Sequence, residues 1–447
     1  MTNELAPITS LPTEILVAIF AIFAEDYNIM PLGRVIRRWR EIVNGTPQFW
    51  STIQFFIRSY YRDSSKEEYR LNLALERSRQ FPLDANFRFY GDDILSEWVE
   101  ESNPLPTSLN DLARSFLARH LKALMPHACR IRSLTISMEW HGALYQILTA
   151  FQDVSAPLLE RLVVYMPSLR GSDVVDDSPR PFVFLKGGAP MLKSIELRNL
   201  TIPHCSPPLQ NVTHLSLTSS NRRSAMSIIE FGTMLGALTS LDSLRLGGQV
   251  FVADPQVTPT IAIPTLHSLY IASFYGHEPI DMRCFYLPIL ETLDINLFEI
   301  STSFPLPRFP KVRTLHVACI SKGLSDNFPQ VTDLHLSIID TASAQLGDVH
   351  SWPFLRNLTV AEGKLTVLRS ILNERIASDH PILTVSLTGS RATTVLLRRD
   401  FVKTDWSPNY KSRPGDPDTL HWQGKHGQHR SRIVTIGSVL TLSAHTG

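Results

Sequence analysis

The sequence predicts an α/β repeat protein: a small N-terminal helical module followed by an irregular array of short parallel strands. Three observations carry this. Apolar residues recur at helical spacing within the first fifty residues. An apolar-x-x-apolar-x-apolar motif then returns along the chain from Ile131 to Leu387. Its average spacing is about 25 residues, within the range of stacked α/β repeats.

Leu11-Pro12-Thr13-Glu14 opens the first helix. Proline suits a first turn, where its missing N–H would be unpaired anyway, and Glu14 faces the positive end of the helix dipole. Ile15, Leu16, Ile19, Phe20 and Phe23 follow at i, i+1, i+4, i+5 and i+8, one helical face. A second helical stretch runs from Leu32 to Val43 with Val35, Ile36, Trp39, Ile42 and Val43 apolar. Arg34, Arg37, Arg38 and Arg40 are expected on its solvated face. Asn44-Gly45 is a helix stop, Thr46-Pro47 restarts the chain, and Phe49 and Trp50 close the module. So few residues bury too little apolar surface to stand alone.

Three blocks in this order resemble the F-box, and most of all the F-box proteins abundant in mushroom-forming fungi. They are Leu11-Pro12-x-Glu14-Ile15-Leu16-x-x-Ile19-Phe20, Val35-Ile36-Arg37-Arg38-Trp39-Arg40 and Thr46-Pro47-Gln48-Phe49-Trp50. Ile36 stands where that family often has Cys, and Phe49 where it has Leu; both keep an apolar group. The resemblance covers about residues 1–55. It implies docking onto a Skp-family adaptor and, through it, a cullin of an SCF-like ubiquitin ligase. By the same resemblance Leu11, Pro12, Ile15, Leu16 and Ile19 face the adaptor, and Phe20, Val35, Trp39 and Trp50 belong to the docking set. Burying each aliphatic side chain contributes roughly 1.5–3 kcal/mol. Association costs about 4–15 kcal/mol, so binding needs contacts beyond this one helix.

Residues 56–107 are expected to form a linker and an atypical capping repeat, with a helix over Glu67–Arg79 and a strand over Pro82–Phe89. Residues 108–400 carry the motif array, expected to be an irregular leucine-rich-repeat solenoid with its parallel strands on the concave face. The last two apolar residues of each motif, such as Leu134/Ile136, Leu293/Ile295 and Leu358/Val360, point to one side of a strand. Pro157, Pro190, Pro264, Pro288, Pro310, Pro329 and Pro353 precede motifs, in the connection returning to each strand. The asparagine that often follows such strands is mostly missing, so no regular asparagine ladder is expected. Convex helices are expected at Asp111–Leu124, Gly142–Phe151 and Ser224–Leu238, with turns or loops in later repeats. Residues 401–447 read as a polar tail or C-terminal cap, partly disordered, with Ile433–Leu442 able to return as an edge strand.

Composition narrows the function. With 43% hydrophobic and 19% charged residues the chain is expected to fold, and a net charge of +1 argues against nucleic acid or anionic membrane as partner. The longest apolar run, Ile15–Ala24, is about half of a bilayer span. Met1–Ser10 lacks the pattern of a secretory signal, so a cytoplasmic or nuclear protein is expected. Cys129, Cys205, Cys284 and Cys319 form no CxxC pair and are expected to be reduced. His421, His426 and His429 cluster in the tail, but their spacing alone is a weak metal signal and no Cys accompanies them; no catalytic or cofactor motif is present, so neither enzyme chemistry nor a cofactor is expected.

The residues between the buried strand positions point outward. Tyr165, Arg198, Arg245, Tyr270, Asp294, His316 and His335 are thereby the candidate contacts to a target protein. The sequence is read as a non-catalytic substrate receptor of a cullin-type ubiquitin ligase. The alternative is a repeat scaffold that acts without ligase assembly.

Overall fold

The computed structural model describes residues 7–26, 29–58, 64–90, 107–138, 141–166, 182–200, 202, 205–219, 225–252, 260–272, 282–296, 309–320, 324–339, 345–363, 365–388, 419–423, 429–436 and 439–446. The chain divides into two compact units, Met1–Ser224 and Ala225–Gly447.

In the first unit the helical module holds α1 (Thr13–Asp26), a 3-10 turn over Leu32–Arg34, α2 (Arg37–Gly45) and a 3-10 turn over Pro47–Trp50. The expected second helix is therefore broken. Ile36 is extended at the N-cap of α2, with φ −141° and ψ 162°, because the chain closes one tight turn before entering the helix. Gly45 ends α2, and Pro47 sits in the first turn of the next segment, as the punctuation required. Leu16, Phe20, Ile29, Ile42, Val43, Phe49 and Trp50 form the module's core, and Leu73 and Ala74 of α3 (Ser64–Arg77) pack against it.

β1 (Thr52–Arg58) follows the module directly. The module is expected to end at residue 55 with no strand there, yet Ile53, Phe55 and Ile57 alternate in the sequence as a strand does. Then come α3, β2 (Leu83–Tyr90), α4 (Thr107–Leu124), β3 (Ile131–Met138) and α5 (His141–Phe151). β4 (Arg161–Tyr165), β5 (Ser194–Arg198) and β6 (His214–Ser219) complete the unit. Its strands pair in parallel in the order β1-β2-β3-β4-β5-β6. Phe55 and Phe87 take the inward positions of the first two strands and stack at 4.2 Å.

The second unit opens with β7 (Met226–Ser227) and α6 (Ile228–Gly236), whose N-cap Ser227 and Glu230 form a capping box. β8 (Ser243–Gly248), β9 (Phe251–Val252), β10 (Ile261–Ala262) and β11 (Ser268–Ala272) follow. β12 (Phe285–Tyr286), β13 (Thr292–Asn296), β14 (Thr314–Val317), α7 (Leu324–Asn327) and β15 (Asp333–Ile339) come next. β16 (Asn357–Gly363), α8 (Leu365–Ala377) and β17 (Thr384–Thr388) end the parallel run. Strands β8, β11, β13, β14, β15, β16 and β17 pair in parallel in that order.

Two expectations change here. The late returns are not all turns: α8 is a full helix, with Leu368 and Ile371 buried beside the short connection into β17. In the tail, β18 (Thr419–Gln423), β19 (His429–Ile436) and β20 (Val439–Thr446) pair antiparallel, and β20 pairs antiparallel with β17. The part of the expected polar loop at 419–423 and 429–432 is thus extended, while 401–418 lies outside the described residues.

Both units are built alike. Motif residues pair like with like across neighbouring strands: Leu134 with Leu162, Ile195 with Leu215, Leu269 with Leu293, Leu315 with Leu334. Each of these is at most 2% exposed. The prolines occupy the second position of a turn that closes on the motif's first apolar residue. Leu159 N–H donates to Ala156 O, Leu192 to Ala189, Leu266 to Ile263, Leu290 to Leu287 and Leu355 to Trp352. Proline presets the φ that this position needs.

Main chain supplies what side-chain asparagines do not. One carbonyl accepts two successive N–H groups from the next repeat: Glu160 O from Lys193 and Ser194, and Lys193 O from Thr213 and His214. In the second unit Asp242, His267, Glu291, Arg313, Thr332 and Arg356 carbonyls each do the same.

Candidate functional site

The module's outer surface is set by α1. Leu16 and Phe20 turn inward and are fully buried, so the opposite face is left outside. Pro12 is exposed, Ile15 is 48% exposed and Ile22 is 67% exposed. Ile15 and Ile22 are seven residues apart, two helical turns, and lie on one stripe. Val35, 57% exposed, adds an apolar group from the connection before α2.

The residues proposed for docking therefore separate into three sets. Leu16, Phe20 and Trp50 lie in the core of this chain. Leu11, Ile19 and Trp39 are half-buried and pack on that core, Trp39 edge-on to Phe20 at 5.0 Å. Pro12, Ile15 and Val35 are exposed. Ile22 is outside the expected set, although its seven-residue spacing from Ile15 is present in the sequence.

The arginines of the module do more than solvate a helix. The Arg38 guanidinium donates to Leu11 O at 2.7 Å, tying α2 to the start of α1. Arg40 donates to Gly33 O at 2.9 Å, and Arg37 pairs with Glu41 at 2.9 Å on the surface. Trp50 Nε1 donates to Val43 O at 2.7 Å, while the Arg77 guanidinium from α3 lies 4.5 Å from the Trp50 ring and donates to Asn44 Oδ1. The exposed stripe is thus carried on a fixed support.

The strand candidates fall into two rows, one in each unit. In the first, Tyr165 of β4 pairs with Arg198 of β5, whose guanidinium lies 5.8 Å from the Tyr165 ring. Arg198 also pairs with Glu196, which sits 3.6 Å from Arg161. Glu196 and Arg161 carry no periodic signal in the sequence, since one ion pair lies within β5 and the other crosses from β4 to β5.

In the second unit, register aligns Arg245, Tyr270, Asp294, His316 and His335 on five adjacent strands. The Arg245 guanidinium stands 3.9 Å from the Tyr270 ring centroid. His316 Nδ1 lies 3.4 Å from Asp294 Oδ2, and the His316 and His335 rings stack at 3.8 Å. Burial pushes the Asp294 carboxyl above its usual range, against the opposing pull of Arg245 and His335. Burial also pushes both imidazoles below theirs, and His316 lowers His335 further.

Among the described residues no group of three or more His, Cys, Asp or Glu side chains is placed to hold a metal ion. His426 lies outside the described residues, and the side chains of His421 and His429 are likewise outside them. Cys205 is buried and its thiol is pushed up to about 12 by desolvation, which suits packing rather than nucleophilic chemistry. No helix of the described residues is long and apolar enough to cross a membrane.

Comparison with known proteins bears on the first of these surfaces. Residues 8–55 match the family described as F-box-like. No curated protein matches the chain.

Proposed function

We propose that the chain is the substrate receptor of an SCF-like ubiquitin ligase. The F-box-like match at residues 8–55 is the observation that carries the reading. F-box regions generally serve as non-catalytic adaptors that bind a Skp-family protein, which in turn meets a cullin. The exposed apolar stripe of Pro12, Ile15 and Ile22, with Val35 beside it, is what such a partner would cover. Leu16, Phe20 and Trp50 support that stripe from within, and Leu11, Ile19 and Trp39 stiffen its base.

The parallel array is read as an irregular leucine-rich-repeat solenoid. Its outward rows hold a target protein, through Tyr165 and Arg198 in one unit and Arg245 to His335 in the other. No bond is made or broken on this chain. Its contribution is proximity, which raises the target's effective concentration near a ubiquitin carrier. The work is placed in the cytoplasm or nucleus, where such ligases assemble.

The test is co-purification of the full chain with a Skp-family adaptor, beside a variant carrying Pro12→Ala and Ile15→Asp. Both positions are exposed, so the variant should keep its circular dichroism spectrum. A charge placed in an apolar interface should cost at least about 2 kcal/mol and reduce retention by roughly thirtyfold. A wild-type chain that retains no adaptor would sink the ligase reading and favour the scaffold. A chain that retains the adaptor but never brings the cullin would do the same for ligase assembly.

A further inference from the structure

The row from Arg245 to His335 has a more specific chemistry than a general contact surface, and that chemistry rests on reading the second unit as a target surface. Five side chains from five adjacent strands form it. Strands lie about 4.8 Å apart, so the row is roughly 19 Å long. Most neighbouring outward positions are small, among them Ser268, Thr292 and Thr314 on one side and Ala272 and Ala318 on the other; Asp333 and Asn296 are the larger exceptions. The five side chains form a continuous strip.

Its polar character is lopsided. Arg245 is the row's fixed cation, and it is already laid against Tyr270. Beyond it come the Asp294 carboxylate and two stacked imidazoles, with Asp333 on the same face of β15. Asp333 accepts from Asn357 Nδ2 and from Thr332 Oγ1, which holds its carboxylate in place. At the entry to the strands Asp242 and Glu291 are balanced by Arg313 and Arg356, and His267 pairs with Asp242 at 2.8 Å. The excess of negative charge thus sits at β13 to β15, beside the two stacked imidazoles.

We propose that this strip docks a basic segment of the target, one whose lysine or arginine side chains lie against Asp294, His316 and His335. The fit of a guanidinium on Tyr270 within the same row shows the kind of contact involved. An acidic segment would meet two carboxylates with a single fixed cation to offset them. Acidification should release a basic segment, because protonated imidazoles beside Asp294 occupy the position of the incoming charge and neutralise its counterpart. The groups facing His316 are Asp294 on β13 and His335 with Asp333 on β15; Arg245 and Tyr270 complete the row.

The experiment is fluorescence anisotropy on the full chain with a fluorescein-labelled Gly/Ser peptide bearing alternating Lys and Arg, beside a matched peptide bearing Glu. The basic peptide should bind, and Asp294→Asn should weaken it about fivefold. The paired change His316→Gln and His335→Gln should remove release at acid pH, so that the ratio of the affinities at neutral and acid pH falls toward one. Preference for the Glu peptide, affinity unchanged by Asp294→Asn, or no binding of either peptide would each overturn the proposal. Adaptor retention, measured separately, tells this failure from failure of the ligase reading: a chain that holds the adaptor but ignores the basic peptide loses only the inference drawn here.

Discussion

Two arginines are buried where neither periodicity nor family likeness pointed. Arg130 donates to Leu75 O at 3.0 Å, Ser78 Oγ at 3.0 Å and Phe81 O at 3.2 Å, closing the C-terminal end of α3, where helical carbonyls lack partners. Arg375 of α8 donates to Leu346 O at 2.6 Å and Trp352 O at 2.8 Å. Burial lowers both guanidinium pKa values, yet neither group gives up its charge in the physiological range. In the sequence each is one arginine among many. Its role depends on carbonyls 49 to 55 residues away for Arg130 and 23 to 29 for Arg375. Arg130→Ala should strand those carbonyls and cost about 1–3 kcal/mol, read as a lower urea midpoint. An unchanged midpoint would show that the α3 end is held by other contacts.

Elements were more legible than residues. The motif placed its inward pairs correctly because strand alternation is a property of the chain itself, and every repeat restates it. Leu293 pairs with Leu269 on one side and Leu315 on the other and is fully buried. Leu293→Ala should cost about 2–5 kcal/mol, whereas Thr292→Ala, at an outward position, should stay within about 0.5 kcal/mol. Equal effects in chemical denaturation would contradict the inward and outward assignment. Boundaries were less legible. β1 begins inside the stretch that resembles the F-box, so its first residues carry two patterns at once, and the helical spacing of α8 lies among returns that are otherwise short. Of the residues proposed for docking, the sequence could show that α1 has an apolar side but not which of those residues turn inward. Which side of a helix turns inward is decided by what packs there, here Trp50 from downstream and Leu73 from α3.

At the scale of the molecule, four histidines share one direction of response. Burial lowers His120, which lies against Phe116 and Phe55, and His127, which Arg130 lowers further, in the first unit, and lowers His316 and His335 in the second. A group whose folded pKa is depressed binds fewer protons folded than unfolded, so stability rises with pH across that interval. Their contribution is intact above the usual imidazole value of 6.5 and is lost as pH falls below it. The thermal midpoint should drop on acidification through this window, and less so in His120→Gln. A midpoint flat below neutral pH would show that the four rings take up protons without cost. Asp294, with its carboxyl raised, contributes the opposite slope nearer the acid end.

The paired N–H groups converging on one carbonyl at each repeat involve backbone alone. A frame stitched by main chain makes few demands on the letters it displays. Outward residues on β8 to β16 can be exchanged without cutting a stitch, so mutation can rewrite the displayed surface while its architecture is inherited unchanged. Selection on such a chassis would show as rapid divergence of the displayed row against a nearly constant set of leucines beneath it.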